Sequence, residues 1–202
     1  MAGTVLNQDV TKIFRGPSKV WLNVAIPAAG GRITLHTDGT PESVANPNAK
    51  QLGLTKAGCK ITMNFAVQNS EADELTAPYR TTITSDEMTA EGEWLQLLDF
   101  DLWKALIPNA TYGSGSGYVE VSVGGNTAVS ANAQPSVAII APTLADPTKF
   151  VVAHIYKAVN TAGAQINITK AEDASSPFKL EGRSITTRAA GDQVGKFWQQ
   201  VA

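Results

Sequence analysis

The chain has 202 residues, 43% hydrophobic and 17% charged, which excludes disorder, a state that needs low hydrophobicity and high net charge. Sixteen Lys and Arg against eighteen Asp and Glu leave a net charge of −2, so no basic excess points to tight nucleic-acid binding. One cysteine and two histidines exclude an intrachain disulfide framework and a Cys-rich zinc site, and leave little material for acid–base chemistry. No run approaches the roughly 18–20 apolar residues of a membrane helix, and the N-terminus lacks the charged-then-apolar order of a secretory leader. The expectation is a soluble protein, made in the cytoplasm, with no enzymatic activity.

The first seventeen residues, ending in Gly16-Pro17, read as an arm outside the core. Val20 to Val24 and Arg32 to Leu35 carry short alternations of apolar and polar residues, the period of a strand. Residues 36–56, with Asp38-Gly39-Thr40-Pro41 and Asn46-Pro47-Asn48, are rich in turn formers and predict a long loop. A loop of that length in a compact domain is commonly functional, and its composition offers little to pack by itself. Cys59 to Gln68 alternates for ten residues, the clearest strand in the chain. Tyr79 to Ile83 adds another. In Trp94 to Pro108, residues 95, 98, 102 and 106 follow helical spacing; Pro108 stops the helix and Asp99 is its candidate N-cap, which predicts a helix over 99–107. Tyr118 to Val123, Gln165 to Thr169 and Phe178 to Ile185 alternate again. Val137 to Ile140 and Phe150 to Tyr156 are continuously apolar, as strands buried on both faces are. The fold class is mainly β: a sandwich or barrel with one short flanking helix, a long loop 36–56 and extended terminal arms. A single domain is expected, with an arm 1–17, a core 18–188 and a tail 189–202.

Candidate chemistry is sparse. Gly113-Ser-Gly-Ser-Gly117 lies after a helix and before a strand, the reverse of a phosphate-binding loop, and reads as a flexible connection. Cys59 shares its strand face with Ile61, Met63 and Phe65 and reads as a buried, inert thiol. His154 shares a face with Phe150, Val152 and Tyr156 and reads as packed and hydrogen-bonded. His36 with Asp38 is too few ligands for a metal. The acidic runs Glu71 to Glu74 and Asp86 to Glu93 read as solvated turns, not as a glycosidase pair. Asn109-Ala-Thr111 and Asn167-Ile-Thr169 match the glycosylation pattern by chance alone. Neither a cofactor nor a metal is implied.

The order of these elements resembles a known family. An arm precedes Lys19-Val-Trp-Leu22; Leu35-His-Thr-Asp38-Gly-Thr-Pro41 opens a loop that closes at Leu52-Gly53-Leu-Thr-Lys-Ala-Gly58; the long alternating strand follows. Then come Glu71-Ala-Asp73-Glu74-Leu-Thr-Ala-Pro-Tyr-Arg80, the Leu102-Trp-Lys-Ala-Leu106 helix, Pro177 to Arg183, and Asp192-Gln-Val-Gly195-Lys-Phe-Trp198. Over most of its length the chain resembles the major tail tube proteins of long-tailed, non-contractile bacteriophages.

That resemblance implies a virion protein of the phage tail, a β-sandwich assembled with its own copies as hexameric rings stacked into a tube. The tube conducts double-stranded DNA without sequence-specific binding, and its further partners are the tape measure, tail terminator and distal tail proteins. Stacking would fall to the arms and to the loop residues Asp38, Gly39, Thr40, Pro41, Glu42, Asn46, Pro47 and Asn48. An acidic or neutral lumen suits sliding DNA, with Glu71, Asp73, Glu74, Asp86 and Glu87 as candidates and Lys60 and Arg80 as partial offsets. The other readings are a tail terminator, a capsid decoration protein, and a carbohydrate-binding or adhesin-like β-sandwich.

Overall fold

The structure, a computed structural model, describes residues 17–70, 77, 80–124, 134–166 and 173–200. It is mainly β, with one short helix, and its two principal sheets are antiparallel throughout. The first sheet runs β11 (Gly195–Gln199), β8 (Phe150–Ile155), β7 (Val137–Pro142), β1 (Lys19–Leu22) and β2 (Lys50–Gln51). The second runs β3 (Thr55–Ser70), β4 (Arg80–Trp94), β10 (Ser176–Gly182) and β9 (Ala158–Asn160). A separate hairpin pairs β5 (Thr111–Gly115) with β6 (Tyr118–Ser122).

Strand alternation builds the core between the two sheets. Val20, Leu22, Val137, Ile139, Ala153 and Ile155 face Met88, Ala90, Trp94, Phe178 and Leu180 across it. The opposite face of the five-stranded sheet is buried too: Ala138, Ile140, Phe150 and Val152 pack under Val24 and Ile33, with Leu35 and Ala49 beside them. This is why β7 and β8 read as unbroken apolar runs.

The covering layer overturns one expectation. Residues 36–49 are built into the fold and do not wait for a partner to order them. Leu35 bridges to Pro41, and Asn46 is buried, accepting from the Ala25 amide and donating to the Glu42 carbonyl at 2.9 Å each. Gly39 lies against Phe150; its φ of 76° and the 2.6 Å that a Cβ there would leave to the ring both demand glycine. The loop also ends sooner than expected, since Lys50–Gln51 pairs with β1 and β3 begins at Thr55.

Other boundaries move as well. Arg32 to Leu35 forms no strand, although Ile33 is buried. The helix α1 is Phe100–Leu106; Asp99 occupies the N-cap position but its side chain makes no cap hydrogen bond. The helix is held instead by Leu102, Trp103 and Leu106 in the core, by the Trp103 indole donating to the Leu97 carbonyl at 2.7 Å, and by Lys50 pairing with Asp101. Gly113 to Gly117 is no flexible connection, because Gly113, Ser114 and Gly115 pair with Glu120, Val119 and Tyr118. The expected C-terminal tail supplies β11, which pairs with β8 along Gly195–Gln199. Strand β10 stops at Gly182, short of Ile185. Gln165 and Ile166 lie outside any strand, and the rest of that expected strand, like the arm 1–16, lies outside the described residues.

Candidate assembly surface

The longest feature of the chain is the β3–β4 hairpin, with strands of 16 and 15 residues. The sequence reading treated Asp86 to Glu93 as turns; these residues are strand, and Asp86 to Gly92 run in register with Phe65 down to Cys59. Strand β10 pairs with β4 only from Thr89 to Trp94. Beyond that point, among the described residues, Arg80–Met88 and Met63–Ser70 have only each other as strand partners. Among the described residues the distal hairpin is therefore a two-stranded ribbon with no strand on either outer edge.

One face of this ribbon is apolar and open. The row Cys59, Ile61, Met63, Phe65 and Val67 continues the core face of β3 outward, opposite Gly92, Ala90, Met88, Asp86 and Ile83. Ile61 and Met88 lie in or against the core. Past them Met63 is 58% exposed, Phe65 69%, Val67 50% and Ile83 59%. A register shift between Ala66 and Val67 accommodates Thr84 and twists the ribbon there. The open face borders a groove whose other wall is Ser184, Gly191, Gln193, Val194 and Gly195. Ribbons of two strands are marginal alone, and side chains of this size gain about 1–2 kcal/mol each when covered.

The opposite face is polar and its charges are matched. Lys60, Glu91 and Lys179 form one row across β3, β4 and β10. Lys60 donates to Glu91 at 2.6 Å, and Glu181 in the next row meets Lys179 at 3.0 Å and Arg183 at 3.5 Å. Lys60 holds the Glu91 carboxyl below its ordinary range, and Lys179 does the same for Glu181. Period two also separates two residues that the sequence reading had grouped: Asp86 stands on the apolar face opposite Phe65, and Glu87 on the polar face opposite Asn64. They cannot line one surface. Glu71, Asp73 and Glu74 lie outside the described residues.

The expected stacking residues are divided by burial. Gly39, Pro41 and Asn46 are enclosed in the chain's own fold, and Thr40 and Glu42 are half-buried. Asp38, Pro47 and Asn48 are exposed, next to Val44, which is almost fully so. Asp38 turns inward on its own loop, accepting from the Thr40 amide and hydroxyl.

The single cysteine and the buried histidine carry no constellation. Cys59 is half-buried, not enclosed with Met63 and Phe65 as expected, yet desolvation still pushes its thiol up to about 12. His154 is buried edge-on against Tyr156 at 5.1 Å, and burial, with Arg188 and Lys196 nearby, pushes it down to about 4. Its Nε2 has no hydrogen-bond partner, so the expected satisfied histidine is packed but not paired at that atom.

Asn109 sits at φ 61° just past α1, and Asn167 lies outside the described residues. Among the described residues no three His, Cys, Asp or Glu side chains gather to hold a metal, and no helix is long and apolar enough to cross a membrane.

Sequence reasoning missed the length of β4, because its acidic residues hid the alternation of Met88 and Ala90 with Glu87, Thr89 and Glu91. No protein-family model and no curated protein matches this chain.

Proposed function

We propose that this chain is a structural subunit that associates with copies of itself as hexameric rings, and that the rings stack into the tail tube of a long-tailed, non-contractile bacteriophage. The observation that carries the reading is the distal β3–β4 ribbon, with an open apolar face and, among the described residues, no strand on either outer edge. Monomeric proteins blunt such edges with charge, proline or a covering loop; here Met63, Phe65, Val67 and Ile83 are displayed beside them. A second copy covers both kinds of surface at once. Head-to-tail contacts close into rings where the rotation permits, and stack where a second contact remains free.

On this reading the polar face of the four-stranded sheet is the wall past which DNA moves. Its charges neutralise one another along Lys60, Glu91, Lys179 and Glu181, so few cations remain to displace counterions from phosphates. The wall's paired charges fit the acidic or neutral lumen that the resemblance implies. Exposed Asp38, Val44, Pro47 and Asn48 supply a further contact for stacking, and the tape measure, terminator and distal tail proteins cap the same surfaces at the tube ends. The virion tail is then the site of action.

Sedimentation velocity over a hundredfold concentration range tests the reading. It expects monomer to give way to six-subunit species and larger stacks; a monomer at every concentration contradicts it.

A further inference from the structure

One wall of the groove beside the ribbon is a loop. Ser184, Gly191, Gln193, Val194 and Gly195 form it, in the segment that joins β10 to β11. The loop is closed on itself: the Ile185 amide donates to the Gln193 carbonyl at 2.9 Å, and the Gln193 side chain to the Arg188 carbonyl at 3.1 Å. Two of its side chains fasten it to the rest of the fold. Arg188 donates to the Pro27 carbonyl at 2.9 Å, and Asp192 accepts from the Gly30 amide at 3.2 Å and the Tyr156 hydroxyl at 2.5 Å. The two pair with each other at 2.7 Å, and the Arg188 guanidinium covers the Tyr156 ring at 4.2 Å. Lys196, just inside β11, donates to the Gly31 carbonyl at 3.1 Å and lies 3.6 Å from Asp192.

His154 lies within this fastening. On β8 it stands between Ala138 of β7 and Lys196 of β11, with its ring edge-on to Tyr156 at 5.1 Å. It is 1% exposed, and among the described residues its Nε2 meets no hydrogen-bond partner. The charged and titratable groups about it are Tyr156 just past its own strand, Lys196 on β11, and Arg188 and Asp192 in the loop. Asp192 is there the one carboxylate for two cations. A proton on His154 adds a third cation where little water reaches to screen it. Burial first, then Arg188 and Lys196, push the imidazole down to about 4 from an ordinary 6.5, the value that opening restores. An opened loop therefore gains about tenfold in population for each pH unit below about 6.5.

We propose that acid lifts the loop 184–194 off residues 27–31, with His154 taking up the proton, and so removes one wall of the groove that a second copy enters. The loop's release is a property of the single chain; its effect on assembly rests on the self-association proposed above.

Hydrogen exchange by mass spectrometry tests the release, at low micromolar concentration from pH 7 to pH 4.5, with rates divided by free-chain rates at each pH. Peptides covering 183–195 read the loop and peptides covering Val137–Pro142 read the sheet. Loop protection is expected to fall about tenfold per pH unit below about pH 6 while that of β7 stays unchanged. In His154→Leu the loop is expected to stay protected to pH 4.5; His154→Gln, equally unable to gain a charge, carries the same expectation should the leucine variant not fold. Simultaneous loss of protection in the loop and β7 overturns the proposal, as does a wild-type profile in the variants. Sedimentation velocity at high concentration reads the second arm. Wild type is expected to associate about tenfold less tightly at pH 5 than at pH 7, and His154→Leu equally at both. Asp86 and Glu87 line the same groove, so the variant carries the comparison. Equal weakening in both proteins overturns the coupling to assembly. A monomer at both pH values, with the loop transition intact, contradicts self-association and supports the loop's release.

Discussion

Phe65 and Asp86 are direct partners in the β3–β4 ladder, an exposed ring and a carboxylate on one face of the ribbon. A solitary chain gains nothing from displaying that ring. Phe65→Ser is expected to leave thermal unfolding nearly unchanged, within about 0.5 kcal/mol, because the site is exposed. Self-association should weaken by at least tenfold in sedimentation velocity, since an aromatic anchor at an interface contributes about 1–2 kcal/mol or more. Unchanged association in Phe65→Ser contradicts the role assigned to the ribbon.

Asp86 and Glu87 separate the two faces in one experiment. Glu87→Lys alters only the polar face and is expected to leave assembly intact, whereas Asp86→Lys places a long cation beside Phe65 and is expected to impair it. Assembly measured by light scattering at equal concentration distinguishes them. Equal effects of the two substitutions contradict the division of faces.

The loop 36–49 belongs to the fold of the single chain. Asn46→Ala removes an acceptor from the Ala25 amide and a donor to the Glu42 carbonyl at a buried site, at a cost of about 2 kcal/mol in urea unfolding. Deleting Glu42 to Gln51 removes this knot and β2 together, so the expected product is insoluble or unfolded, not a soluble monomer. A folded, soluble deletion variant contradicts the account of the covering layer.

What could be read from the sequence followed the local period. Continuous apolar runs at Val137 to Ile140 and Phe150 to Tyr156 gave strands buried on both faces, and the spacing of Leu98, Leu102 and Leu106 gave the helix. What escaped was set by distant partners. Ile33 is buried by tertiary packing on Ile140 and its neighbours without any ladder, so its alternation resembled a strand. Strand β4 was obscured because the Glu91 carboxylate on its outer face pairs with Lys60 across the sheet, 31 positions away. The covering role of the loop depends on Gly39 meeting Phe150, a contact no local pattern encodes. The same limit hid the ribbon, since exposure of Phe65 is decided by where β10 stops pairing.

Acid should weaken the fold in two separable windows. Burial lowers His154 to about 4 from an ordinary value near 6.5. Its folded-state value is depressed, so the associated stability is complete above pH of about 6.5 and declines as pH falls toward about 4. His154→Leu is expected to flatten the urea midpoint over that window.

Below it, Asp192 takes over. The Tyr156 hydroxyl donates to its carboxylate at 2.5 Å, and the Gly30 amide and the Arg188 guanidinium also donate, which holds the carboxyl well below the usual carboxylate range. Arg188 also covers the Tyr156 ring at 4.2 Å, so one cluster pins the segment leading into β11. This contribution is present above pH of about 4 and is lost as pH falls further. Tyr156→Phe is expected to cost about 1–2 kcal/mol at pH 7 and to reduce the loss below pH 4. A variant with the wild-type acid profile contradicts the assignment.

The central claim is self-assembly into a conduit, and negative-stain electron microscopy of the concentrated wild-type protein tests it most directly. The account predicts hollow tubes of uniform width whose end views show six-fold rings, and their absence from Phe65→Ser under the same conditions. Isolated particles of single-chain size at every concentration, or solid aggregates without a lumen, contradict it.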